Sequence, residues 1–90
     1  MRAGPTLEYV RAKLSSLMRE ICGHASKEIP DSATIDRDFE MESVQMVELQ
    51  VAIEQEFDVT IDFLEVLRLN SFRRIAVYIH TLALQGASGV

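Results

Sequence analysis

Asp38-Phe39-Glu40-Met41-Glu42-Ser43-Val44-Gln45-Met46-Val47-Glu48-Leu49, continued by Gln50-Val51-Ala52-Ile53-Glu54-Gln55-Glu56-Phe57, is the stretch that decides the fold. Met46, Leu49, Ile53 and Phe57 recur at steps of three and four residues, so they share one face of a helix. The spacing predicts a helix that begins near Glu42 or Ser43 and ends near Phe57, where Asp58-Val59-Thr60 breaks it. Val44, Val47 and Val51 form a second apolar line, rotated from the first and lying beside Glu48, Glu54 and Gln55. Periodicity leaves two readings of that second line. It is either a docking surface framed by acids or the other side of a central helix buried twice over.

Working outward, Leu7, Val10, Leu14, Leu17, Met18 and Ile21 follow the same helical spacing. Pro5 and Thr6 stand where that helix would start, and Gly23 where it would stop. From His24 to Met41 no period is sustained. Pro30, Asp31-Ser32 and Asp36-Arg37-Asp38 suit turns, so this reads as a long ordered loop pinned to the core by Ile29, Ile35 and Phe39. Such a loop in a small domain is often functional. Beyond the central helix, Asp62 can cap a short helix from Phe63 to Leu67. Asn70-Ser71 then caps a last helix from Phe72 to about Leu84, with Phe72, Ile75, Ala76 and Ile79 on one face. Val59 to Ile61 is too short to stand as a strand. The expectation is an all-α four-helix bundle: three main helices, one short helix and a long first loop. Its expected limits are a flexible N-terminus over 1–5, one domain over 6–85 and a flexible tail over 86–90.

The composition restricts the function. Ninety residues with 48% hydrophobic content support one small core. Net charge is −5, which argues against a nucleic-acid binder and permits partners with basic surfaces. There is no apolar run of about 18 residues, so no membrane partner is expected. Nor do residues 1–5 start a signal peptide. Cys22 is the single cysteine, which excludes an intrachain disulfide and fits a cytoplasmic protein. It ends an apolar face and reads as packed rather than reactive. No catalytic set is visible: Ser43 lacks a G-x-S-x-G elbow. His24 and His80 read as surface residues outside any metal-binding spacing, so neither a catalytic residue nor a metal is expected.

The run from Asp38 to Leu49 resembles the acyl carrier protein signature, D-L-G-x-D-S-L followed by V-E-L. Ala52 to Ile61 resembles the family's continuation, Leu69-Asn70-Ser71-Phe72 its junction into the last helix, and Tyr78-Ile79 a pair within that helix. The likeness is close from about Ala33 to Ile79, and the first helix fits by pattern alone. It implies the carrier-protein bundle, with a 4'-phosphopantetheine arm joined covalently to Ser43. On spacing alone an ordinary N-cap serine is the better reading; the surrounding match favours the attachment. A helix start also leaves backbone N–H groups that suit a phosphodiester.

The sequence departs from the family at three positions. Glu42 stands for aspartate, Val44 for leucine and Glu40 for glycine. The acid at Glu42 is kept one methylene further out, and Val44 shrinks an apolar contact. These changes point to a dedicated carrier in polyketide, nonribosomal-peptide or aminoacyl metabolism. The alternatives are a primary fatty-acid carrier and, in another class, an unmodified helical interaction module.

As a carrier the protein is expected to catalyse nothing and to be a monomer. Its partners would be a phosphopantetheinyl transferase, an acyl- or amino-acid-activating ligase, and an acyltransferase, ketosynthase or condensation enzyme. Docking is expected at Glu42, Val44, Val47, Glu48, Val51 and Phe63, with Glu54 and Glu56 adding to the acidic face. Of the apolar residues in the short helix, Leu67 reads as core and Phe63 as the most exposed. Arg68, Arg73 and Arg74 would pair with local acids or tune partner choice.

Overall fold

The computed structural model describes residues 4–22, 29–30, 32–39 and 41–88. Four α-helices form in chain order: α1 (Leu7–Cys22), α2 (Ser43–Phe57), α3 (Phe63–Leu69) and α4 (Phe72–Ser88). Between α1 and α2, Ile35–Phe39 forms one wide π-type turn. The bundle is the expected all-α architecture. Two local lengths differ from expectation. Helix α3 runs to Leu69 instead of Leu67, and α4 passes Leu84 to reach Ser88. The expected stop at Gly23, and His24 and Glu40, lie outside the described residues.

Each start has a local cause. Thr6 Oγ1 accepts the Tyr9 N–H at 3.0 Å, which caps α1. Asp62 Oδ1 accepts the Leu64 N–H at 3.0 Å, and Ser71 Oγ accepts the Arg74 N–H at 3.2 Å, which cap α3 and α4. Helix α2 ends at Asp58, whose φ of 55° places it in the left-handed region that turns the chain out of the helix. The Ile61 N–H then donates to Glu54 Oε2 at 3.0 Å and closes the turn toward α3.

The core joins all four helices to the loop. Val10, Leu14 and Met18 of α1 meet Leu49, Ile53 and Phe57 of α2, Val66 of α3, and Phe72, Ile75, Ala76 and Ile79 of α4. Helix α1 packs against both α2 and α4, and α3 packs against α4. Ile29, Ile35 and Phe39 are buried in the same cluster, so the loop is pinned where the sequence placed its pins. Backbone bonds add a second hold. The Ile35 N–H donates to the Asn70 carbonyl at 2.9 Å, and the Phe72 N–H to the Ala33 carbonyl at 2.8 Å. This isolated Thr34–Ser71 bridge fastens the loop to the α3–α4 junction. The loop thereby delivers buried Met41 and, directly after it, the start of α2.

Candidate functional site

Helix α2 settles the question of its second apolar line. Residues two apart on a helix point about 200° apart. Val47 and Val51 flank buried Leu49 at that spacing, so they face outward. They are 60% and 45% exposed, and Val44 is 67% exposed. The three valines are therefore surface and not a second core face. The same geometry corrects the reading of α3. Val66 is fully buried, and Leu64, two residues before it, is 71% exposed. Phe63 is half-buried and packed on the core, as is Leu67, so the outermost apolar side chain of α3 is Leu64 and not Phe63. The alternation around Val66, a residue that sequence reading did not single out, was the signal that marks Leu64.

Ser43 is the first helical residue of α2 and is exposed. The cap position before it belongs to Glu42, with φ −80° and ψ 163°. Gln45 Oε1 accepts the Glu42 N–H at 2.9 Å across this first turn. The ordinary role of a serine at a helix start is thus taken by its neighbours. Among the described residues no hydrogen bond engages the Ser43 hydroxyl. The first hydrogen bond of the helix runs from the Met46 N–H to the Glu42 carbonyl at 3.0 Å. The Ser43 and Val44 N–H groups precede it and have no carbonyl of their own helix to meet. A phosphodiester on Ser43 fits this setting. The oxygen is accessible, and donors and the positive end of the helix lie beneath it.

The acids of α2 divide into two groups. Glu56 Oε2 accepts the Tyr9 hydroxyl at 3.1 Å and meets Lys13 Nζ at 3.8 Å, so it ties α2 to α1. Glu54 holds the α2–α3 turn, as described above. Both are thus engaged within the fold, although Glu56 remains exposed and Glu54 partly so. Glu42 and Glu48 are exposed, with no ion pair among the described residues. Glu42 and Val44 stand at the start of α2, and Val47, Glu48 and Val51 continue along its exposed side, on a helix whose sequence has no Lys or Arg.

The remaining candidates fall elsewhere. Arg68 pairs with Glu65 at 3.1 Å. Arg73 and Arg74 are exposed beside a groove of about 380 Å³ between α3 and α4, whose walls include Leu69, Val77 and Tyr78. The Tyr78 hydroxyl accepts the Asp62 N–H at 3.2 Å, so Tyr78 helps join α4 to the start of α3. Cys22 is half-buried against the core, and burial raises its thiol above the usual 9.0. A raised value keeps it protonated and unreactive, in line with the packed reading. His80 is half-buried instead of fully at the surface. Among the described residues no group of three His, Cys, Asp or Glu side chains could hold a metal ion, and no helix is long and apolar enough to cross a membrane.

The family model described as the phosphopantetheine attachment site matches residues 12–79, a span that includes most of α1, all of α2 and α3, and α4 as far as Ile79. No curated protein matches the chain. The matched span covers more than half of the 90 residues and contains the exposed serine that opens α2. The chain therefore belongs to the phosphopantetheine-attachment family of acyl and peptidyl carrier proteins, whose members bear a covalent 4'-phosphopantetheine on a conserved serine.

Proposed function

We propose that Ser43 is the attachment serine and that the protein carries acyl or aminoacyl groups for a dedicated pathway of the polyketide or nonribosomal-peptide kind. The observation that carries the assignment is the Ser43 hydroxyl: exposed at the first position of α2, with its usual capping duty taken over by Glu42 and Gln45. Loading joins Ser43 Oγ to the phosphorus of coenzyme A that bears the pantetheine arm. The phosphoanhydride bond breaks, adenosine 3',5'-bisphosphate leaves, and the serine proton passes to a base of the transferase. When bound, the arm supplies the thiol that holds the cargo.

The chain's own residues then hold and present that arm. The buried cluster beneath Leu49 and Ile53 keeps α2 rigid under Ser43. The N–H groups of Ser43 and Val44 face the added phosphate charge. Val44, Val47 and Val51, with Glu42 and Glu48, offer a partner an apolar strip bordered by acids. Such contacts are polar at the rim and exchange readily, as a carrier that visits several enzymes requires. Leu64 extends the exposed apolar surface onto α3. The departures at Glu42 and Val44 lie on this presenting surface, which supports a dedicated set of partners over general fatty-acid synthesis. The protein itself contributes no catalytic group in this reading.

The test is intact mass after incubation with coenzyme A and a broad-specificity phosphopantetheinyl transferase. Wild type should gain the mass of one arm, and Ser43→Ala should fold normally and gain none. Arm transfer onto Ser43→Ala would place the attachment elsewhere. A wild type that folds but is never loaded would favour the unmodified interaction module.

A further inference from the structure

We infer that Gln45 is a positioning residue for arm transfer: its side-chain amide ties the Ser43 turn to the end of α1 and thereby sets the direction of the serine hydroxyl. The inference rests on Ser43 being the attachment serine. Gln45 uses both ends of its amide. Its Oε1 accepts the Glu42 N–H at 2.9 Å, and its Nε2 donates to the Ile21 carbonyl at 3.2 Å. The two residues it joins to itself belong to different parts of the fold. Glu42 is the cap of α2, and Ile21 lies in the last turn of α1, 24 residues from Gln45 in sequence.

A carbonyl in the last turn of a helix has no partner within its own helix. The Ile21 carbonyl is such a group, and Gln45 satisfies it from a neighbouring helix. One half-buried side chain therefore serves the end of α1 and the beginning of α2 together. Ser43 directly follows Glu42 and stands two residues before Gln45, so the amide constrains the turn on both sides of it. The hydroxyl itself is held by nothing among the described residues. Its direction depends on how firmly the backbone of residues 42–45 is placed relative to the bundle. Loading requires that oxygen to approach phosphorus along a narrow path, and small misplacements of a reacting atom are costly. A glutamine at this position supplies one acceptor and one donor at the right separation. A glutamate can serve only the first contact while ionised.

Steady-state kinetics of loading, with coenzyme A and a purified transferase, separate positioning from mere stability. Gln45→Met keeps the length of the side chain and loses both bonds. Gln45→Glu keeps the contact to the Glu42 N–H and loses the tie to Ile21. Gln45 is not at the surface strip, so the partner's own contacts remain. Both variants should lower kcat about ten-fold, with KM for coenzyme A within about two-fold of wild type. Loss of folded protein behaves differently: it raises the apparent KM for the carrier and leaves kcat alone. Circular dichroism melts measure the folded fraction in the same buffer. An unchanged kcat in Gln45→Glu, or a defect confined to an apparent KM that tracks the folded fraction, overturns the inference. In either case loading of wild type, and its absence in Ser43→Ala, reports separately on the attachment serine.

Discussion

Replacing Ile53 by alanine and Val47 by aspartate should have opposite effects, although both residues are apolar and on one helix. Ile53 is fully buried where α2 meets the core. Removing its branched side chain costs transfer energy plus the energy of the cavity left behind, about 2–5 kcal/mol. A domain of this size has about 5–13 kcal/mol to lose, from roughly 0.05–0.15 kcal/mol per residue. Val47 is 60% exposed, so folding hides less than half of a side chain whose full burial is worth about 1.5–3 kcal/mol. Its loss should cost below about 1 kcal/mol, since the unfolded chain also shields part of that surface. Urea unfolding followed by helical circular dichroism resolves the two. With a slope of about 1–3 kcal/mol per molar urea, Ile53→Ala should move the midpoint by about 1 M or more, and Val47→Asp by clearly less. The functional order reverses. Val47→Asp places a charge in the exposed strip and should lower arm transfer or acyl loading about five-fold or more, the scale of one lost interface contact. If Val47→Asp unfolds the protein as readily as Ile53→Ala, the valine line is core and the docking argument fails.

Two further outcomes follow from charge and burial. Glu48→Lys should slow association with a basic partner enzyme more than it alters the urea midpoint, and the gap should shrink across a salt series because the screening length is about 8 Å at physiological ionic strength; equal rates at low salt would sink acidic docking. Burial raises the Cys22 thiol above 9.0, so folding favours its protonated form; the stability this contributes is complete below the unfolded thiol's pKa and is lost as pH rises through the folded value. Urea midpoints taken from pH 8 upward should fall through that window in wild type and fall less in Cys22→Ser, and parallel curves would contradict it.

The sequence made the bundle legible because its helices announce themselves in two independent ways. The α1 and α4 faces repeat at helical spacing, and Thr6, Asp62 and Ser71 stand as the capping residues that the structure uses. The loop was legible through its three pins, although its π-type turn at Ile35–Phe39 was not, since no local pattern distinguishes a wide turn from irregular chain. The site was harder. Exposure of Val44 and Val47 depends on which neighbours cover α2, and periodicity cannot count neighbours. Phe63 was misjudged because a short helix offers too few residues to define its inward face until buried Val66 is known. The fold contacts of Glu54 and Glu56 were not legible for another reason. Their partners, the Ile61 N–H and the Tyr9 and Lys13 side chains, are brought to them only by the turn after α2 and by α1.

The division of acids within α2 follows from position along the helix. Glu54 and Glu56 lie in its last turns, where the chain must turn toward α3 and where α1 passes close by. Backbone donors and a lysine are within reach there, and the carboxylates are spent on the fold. Glu42 caps the other end and Glu48 lies in the second turn, both exposed to solvent, and no cation of the same helix competes for them. The helix dipole favours the Glu42 carboxylate at the helix start and fades by the second turn, where Glu48 stands exposed to water. The same dipole favours the phosphodiester that Ser43 is proposed to bear. A negative group added at Ser43 then enlarges an existing acidic patch instead of creating one. Under that reading a basic partner should hold the loaded form more tightly than the bare chain, and the difference should decay with salt as the Glu48 contribution does. Binding of apo protein and of protein loaded from coenzyme A to one partner enzyme, measured at low and high salt, decides the point. Equal affinities at low salt would mean that the phosphate is turned away from the docking strip.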